Sequence, residues 1–66
     1  MDPSEGKIVQ AVAKYTEAIE LHPTAIYLSN RAFCYVKLEN FGLAIFDADS
    51  ALRCGVGEAR LQDMIN

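Results

Sequence analysis

The residues that could carry chemistry are few and scattered. The chain of 66 residues holds two cysteines, Cys34 and Cys54, and one histidine, His22. The cysteines stand twenty positions apart and neither belongs to a CxxC motif. A structural zinc takes about four ligands at short, recognisable spacing, so two thiols and a distant imidazole fall short. Cys34 and Cys54 read as reduced thiols used as small apolar side chains, and no metal or cofactor is expected. Asp47 and Asp49 are two apart, a spacing at which helical side chains diverge, so they read as a solvated face rather than paired acid–base carboxylates. With no Gly-rich phosphate loop and no nucleophile motif, the expectation is a protein that is not an enzyme.

Size and charge exclude further classes. A chain this short buries only about 60% of the surface its unfolded form exposes. The composition is 52% hydrophobic and 23% charged, which is globular, and the formal net charge is −3. Duplex binding requires clustered cations, whereas the six Lys and Arg here are dispersed. The segment Phe41–Arg53 also sets Asp47 and Asp49 against a lone Arg53, which argues against a DNA-recognition helix. No apolar run approaches the roughly 20 residues of a membrane span, and the start lacks the pattern of a signal peptide. Neither nucleic acid nor membrane is an expected partner, and the expected location is cytoplasmic or nuclear.

These residues must be positioned by helices, since three segments show a 3.6-residue apolar period and none alternates like a strand. Ile8, Val12, Tyr15 and Ile19, flanked by Ala11 and Ala18, form one continuous stripe. Asp2 and Glu5 around Pro3 resemble a capping box, and Pro23 should stop this helix near Leu21. Thr24 can cap a second helix to about Lys37 or Leu38. Its apolar residues Tyr27, Leu28, Ala32, Phe33, Tyr35 and Val36 cover more than half its circumference, which predicts two packing neighbours. Asn40 can cap a third helix over about Phe41–Arg53. In it Leu43, Ala44, Phe46, Ala48, Ala51 and Leu52 should face inward, with Asp47, Asp49 and Ser50 in water. Gly55 is expected to end it as a left-handed residue, with Arg53 near the negative end of the dipole. The expected fold is all-α, with antiparallel helices joined by short turns. Residues 55–66 read as a divergent tail, a short helix or disorder, which could fold back as a cap through Leu61, Met64 and Ile65.

The first and third helices repeat. An offset of 33 residues pairs Ile8 with Phe41, Ala11 with Ala44, and Tyr15-Thr16-Glu17-Ala18-Ile19 with Ala48-Asp49-Ser50-Ala51-Leu52. With Ala32 and Tyr35 on the second helix and Pro23 after the first, this pattern resembles the tetratricopeptide repeat, a helix pair of about 34 residues. Tyr15-Thr16-Glu17-Ala18-Ile19-Glu20-Leu21-His22-Pro23 followed by Tyr27-Leu28-Ser29-Asn30-Arg31-Ala32 is similar to the co-chaperone branch of that family. The resemblance implies about one and a half repeats of a superhelix within residues 1–54, as the second helix of one repeat (3–21) and one full repeat (24–54). The register departs from the family after Cys54, where Val56 takes the place that Pro23 holds one repeat earlier.

The same resemblance implies a protein-interaction module whose concave face binds the acidic C-terminal tails of heat-shock chaperones. Its two-carboxylate clamp uses a Lys and an Asn, an Asn, and a Lys and an Arg from the first helix of each of three stacked repeats, and only Asn30 carries over to this chain, as the second-repeat Asn. An amide can donate to a carboxylate oxygen, and Asn costs roughly 0.5 kcal/mol or more against Ala within a helix, so its presence invites a purpose. With one clamp position and a net charge of −3, the chain alone should bind such tails very weakly or not at all. Uncovered apolar faces at the ends of the array offer a second expectation, self-association through helices in place of tail binding.

Overall fold

Short-range capping bonds set most of the helix boundaries. The computed structural model describes residues 3–65, which form α1 (Pro3–Leu21), α2 (Ala25–Lys37) and α3 (Phe41–Ile65). Pro3 opens α1 and Glu5 lies in its first turn, as the fixed φ of proline and the positive end of the dipole favour. The expected cap Asp2 lies outside the described residues. Thr24 has extended backbone and its Oγ1 accepts from the Tyr27 amide at 3.1 Å, satisfying a donor that the first turn of α2 leaves open. Asn40 does the same for α3, its Oδ1 accepting from the Leu43 amide at 3.4 Å.

The turn between α2 and α3 has paired closing bonds. The Asn40 amide donates to the Tyr35 carbonyl and the Glu39 amide to the Val36 carbonyl, each at 2.9 Å. These are the two bonds of a Schellman motif, and Glu39 sits at its left-handed position with φ 59°. A β-carbon is disfavoured there, so the turn holds its shape at some cost.

α2 packs between α1 and α3, and those two do not pack on each other. The stripe Ile8, Val12, Tyr15 and Ile19 lies half-buried against α2, as its period predicts. The small core consists of Leu28, Ala32, Ala44 and Ala51, three of the four being alanines that let α2 and α3 approach closely.

Two expectations for α3 fail. Of the residues expected inside, Ala44 and Ala51 are buried, but Leu43, Ala48, Phe46 and Leu52 are exposed, the last two by 66% and 72%. Asp47, expected in water, is instead 1% exposed. The helix also does not end at Arg53: it runs through Gly55 and Gly57 to Ile65, and no glycine takes a positive φ. Arg53 is therefore mid-helix, paired with Asp49 at 3.0 Å. Leu61, Met64 and Ile65 are exposed on the continuing helix rather than folded back.

The extension survives its glycines because tertiary contacts hold it. Glu58 accepts from the Ala25 amide at 3.1 Å, placing a carboxylate at the dipole-positive start of α2. The Cys54 thiol points to the Pro23 carbonyl at 3.6 Å and to Glu58 at 3.5 Å. A β-carbon on Gly55 would meet that of Ala25 at 3.8 Å, so the helices are in ordinary contact here.

Candidate partner-binding faces

Arg31 decides which sides of α2 remain available to a partner. It stands on the same stripe as Leu28 and Tyr35, where a cation needs a partner inside the fold. Its Nε and Nη2 donate to the two carboxylate oxygens of Asp47 at 2.6 and 2.8 Å, the bidentate geometry that makes such pairs strong. Nη1 donates to Thr16 Oγ1 at 3.0 Å, and that hydroxyl donates onward to the Val12 carbonyl at 2.8 Å. One side chain thus ties α2 to both α1 and α3. The hydrogen bond with Asp47 raises the Arg31 pKa, with burial opposing and the Asp47 charge assisting. Tyr35 lies beneath the guanidinium, its ring centroid 5.9 Å away.

With Arg31 turned inward, two faces of α2 and α3 look outward. The first is the stripe Ile26, Asn30, Phe33 and Lys37, spaced i, i+4, i+7 and i+11 along α2 and exposed throughout. Asn30 is there, and no side chain among the described residues bonds to it, so its amide donors are free for a ligand. Lys37 was not singled out in the sequence, although its place seven residues after Asn30 was the available signal. Its Nζ lies 5.1 Å from the Phe33 ring centroid, which biases the ammonium toward this face. α2 contains no acidic residue, and the charge of Arg31 is matched by Asp47, so Lys37 gives the stripe a positive end.

The second face is an apolar groove between α2 and α3. One half, lined by Ala25, Ser29, Ala51, Gly55, Val56 and Ala59 among others, has a volume of 720 Å³. The other half, lined by bulkier Phe33, Val36, Phe41 and Ile45, has 420 Å³. Ala32 and Ala48 form the floor where the halves meet. Sequence reasoning located exposed apolar faces in general terms but not this groove, because its longer half depends on α3 continuing past Arg53.

Among the described residues, no group of three His, Cys, Asp or Glu side chains could hold a metal ion. Cys34 and Cys54 are unpaired thiols, each half-buried. Among the described residues, no helix is long and apolar enough to cross a membrane.

Comparison with known proteins gives partial relatives. Serine/threonine-protein phosphatase T of Schizosaccharomyces pombe is 56% identical over 41 residues, covering 61% of this chain and 9% of the relative. Small glutamine-rich tetratricopeptide repeat-containing protein 2 of Saccharomyces cerevisiae is 49% identical over 43 residues, covering 64% and 12%. Serine/threonine-protein phosphatase 5 of Homo sapiens is 44% identical over 43 residues, covering 64% and 9%. The chain therefore spans about a tenth of the length of the curated relatives it matches. No family model matches the chain, and no solved structure matches it. The chain is similar to tetratricopeptide repeat proteins and has the all-α helical-hairpin fold expected of them. Repeats of this kind stack to present extended concave binding surfaces.

Proposed function

We propose that this chain is a protein-interaction scaffold of the tetratricopeptide type, without catalytic activity of its own. Its exposed α2 stripe contributes one position of a carboxylate-binding surface for the acidic C-terminal tails of heat-shock chaperones. The observation that carries this reading is Asn30, mid-helix, exposed and without a side-chain partner. Lys37 supports it by placing a cation about 10 Å further along the same face. An extended acidic peptide laid along α2 would meet the Asn30 amide as a hydrogen-bond donor and Lys37 as a point charge.

The strength expected of the chain alone is small. A hydrogen bond to a charged group contributes about 1.5–3 kcal/mol, so two such contacts give about 3–6 kcal/mol before the entropy cost of association is subtracted, which leaves binding at about the millimolar range or weaker. Titration with an acidic chaperone-tail peptide, followed by amide chemical shifts, tests this. The expected shifts are weak, cluster on Ile26, Asn30, Phe33 and Lys37, and disappear in Asn30→Ala. Shifts scattered elsewhere would overturn the assignment of the face. Micromolar affinity lost in Asn30→Ala would overturn the reasoning that this chain alone binds weakly.

A further inference from the structure

We propose that residues 55–65 form a strap that opens as a unit apart from the body of the fold, hinged at Gly55 and Gly57 and caught by the Glu58 carboxylate on the start of α2. The body is held by its small core and by the bonds of Arg31 to Thr16 and Asp47. Beyond Gly55 that kind of support stops. Every residue from 56 to 65 is exposed, so the segment buries little, and segments of that sort open locally at low free energy.

The hinge lies in the residue types. Gly55 and Gly57 stand inside α3, where each glycine lowers the helical population roughly four- to five-fold against alanine. Crowding requires neither of them. A β-carbon on Gly57 meets nothing within 4 Å, and one on Gly55 meets that of Ala25 at an ordinary contact distance of 3.8 Å. Two helix-weakening residues therefore flank the point where burial ends, with no packing reason for either.

The catch is one residue further on. Glu58 accepts from the Ala25 amide at 3.1 Å and from the Cys54 thiol at 3.5 Å, and the first of these joins the strap to another helix. The Ala25 amide belongs to the first turn of α2, whose donors have no partner within the helix, and the Thr24 hydroxyl serves Tyr27 instead. One charge-assisted bond thus favours the closed strap while two glycines oppose it. The balance acts on a particular surface. Gly55, Val56 and Ala59 line the wider half of the groove together with Ala25 and Ser29, so opening removes a wall there. The half lined by Phe33, Val36, Phe41 and Ile45 takes no residue from the strap and keeps its shape.

The test is native-state amide hydrogen exchange of the 66-residue chain at a series of low urea concentrations. Amides of residues 58–62 should share one level of protection, well below that of Ala44 and Ala51. That level should hardly depend on urea, because opening the strap exposes little surface. Glu58→Ala should speed their exchange about three- to ten-fold, as loss of a capping bond does. Helix propensity alone predicts the opposite sign, since alanine is the better helix former. Gly57→Ala should slow the same amides roughly four- to five-fold. Urea-dependent protection equal to that of Ala44 and Ala51 would overturn the proposal by making the chain one cooperative unit. Unchanged or slower exchange in Glu58→Ala would overturn it as well, leaving ordinary fraying without a catch, and unchanged or faster exchange in Gly57→Ala would remove the hinge.

Discussion

The Arg31–Asp47 pair can be tested as a unit. Arg31 makes three hydrogen bonds through its guanidinium, two of them to a carboxylate with only 2% of its side chain exposed. In Arg31→Met the methionine retains most of the packing volume but leaves Asp47 charged, buried and without its cation. Breaking one member of a buried pair costs about 3–5 kcal/mol, against a total stability of roughly 3–10 kcal/mol for a chain of this size. The expected outcome is a largely unfolded protein at room temperature. Asp47→Leu should cost less, because Arg31 retains 16% side-chain exposure and can reach water. The double variant Arg31→Met/Asp47→Leu leaves no buried charge and should recover most of the loss. Arg31→Lys keeps the charge but not the planar fork, and should fall between the two. Urea denaturation followed by far-UV circular dichroism gives all four corners of the cycle. A cost below about 1 kcal/mol for Arg31→Met, as exposed pairs show, would refute the reasoning. So would additivity of the single variants within about 0.5 kcal/mol.

Other predictions concern the turn, the extension and a thiol. Glu39→Gly should stabilise the fold by about 0.5–1 kcal/mol, since it removes a β-carbon from a left-handed position at some entropic cost; a lower melting temperature would count against the Schellman geometry. Gly57→Ala should raise helicity and stability by up to about 1 kcal/mol, because an added β-carbon meets nothing within 4 Å; no gain would mean that residues 55–65 do not hold their helix in solution. Burial, followed by the Glu58 hydrogen bond, pushes the Cys54 thiol pKa up. Its protonated form then favours the fold below the ordinary thiol pKa, and that contribution is lost as pH rises through the raised value. In a Cys34→Ala background at mildly alkaline pH, Cys54 should react with a disulfide reagent more slowly than glutathione does, and equal or faster reaction would refute this.

What could be read along the chain is what local chemistry controls. Pro23 and the hydroxyl of Thr24 stop α1 and start α2 within a few residues of themselves, and Asn40 starts α3 in the same way, so those boundaries were legible. The stripe Ile8, Val12, Tyr15 and Ile19 was legible because α1 has one neighbour and hence one apolar side. Asn30 was legible as an exposed amide only through the repeat register; its companion Lys37 carried only the seven-residue spacing as a signal, and its role on that face became plain once α2 turned Arg31 inward.

Local chemistry along the chain sets three helices, their starts and the repeated small residues that let α2 and α3 approach, because capping bonds and helical period act between near neighbours. Tertiary structure decided the rest. Asp47 is buried since its partner Arg31 lies 16 positions away on another helix, a separation at which no local pattern distinguishes an ion pair from a solvated acid. α3 passes Gly55 and Gly57 since Glu58 caps α2 from 33 positions away. Both outcomes rest on contacts between elements whose mutual distance exists only after folding. They leave the amide of Asn30 facing outward and open the groove beside it.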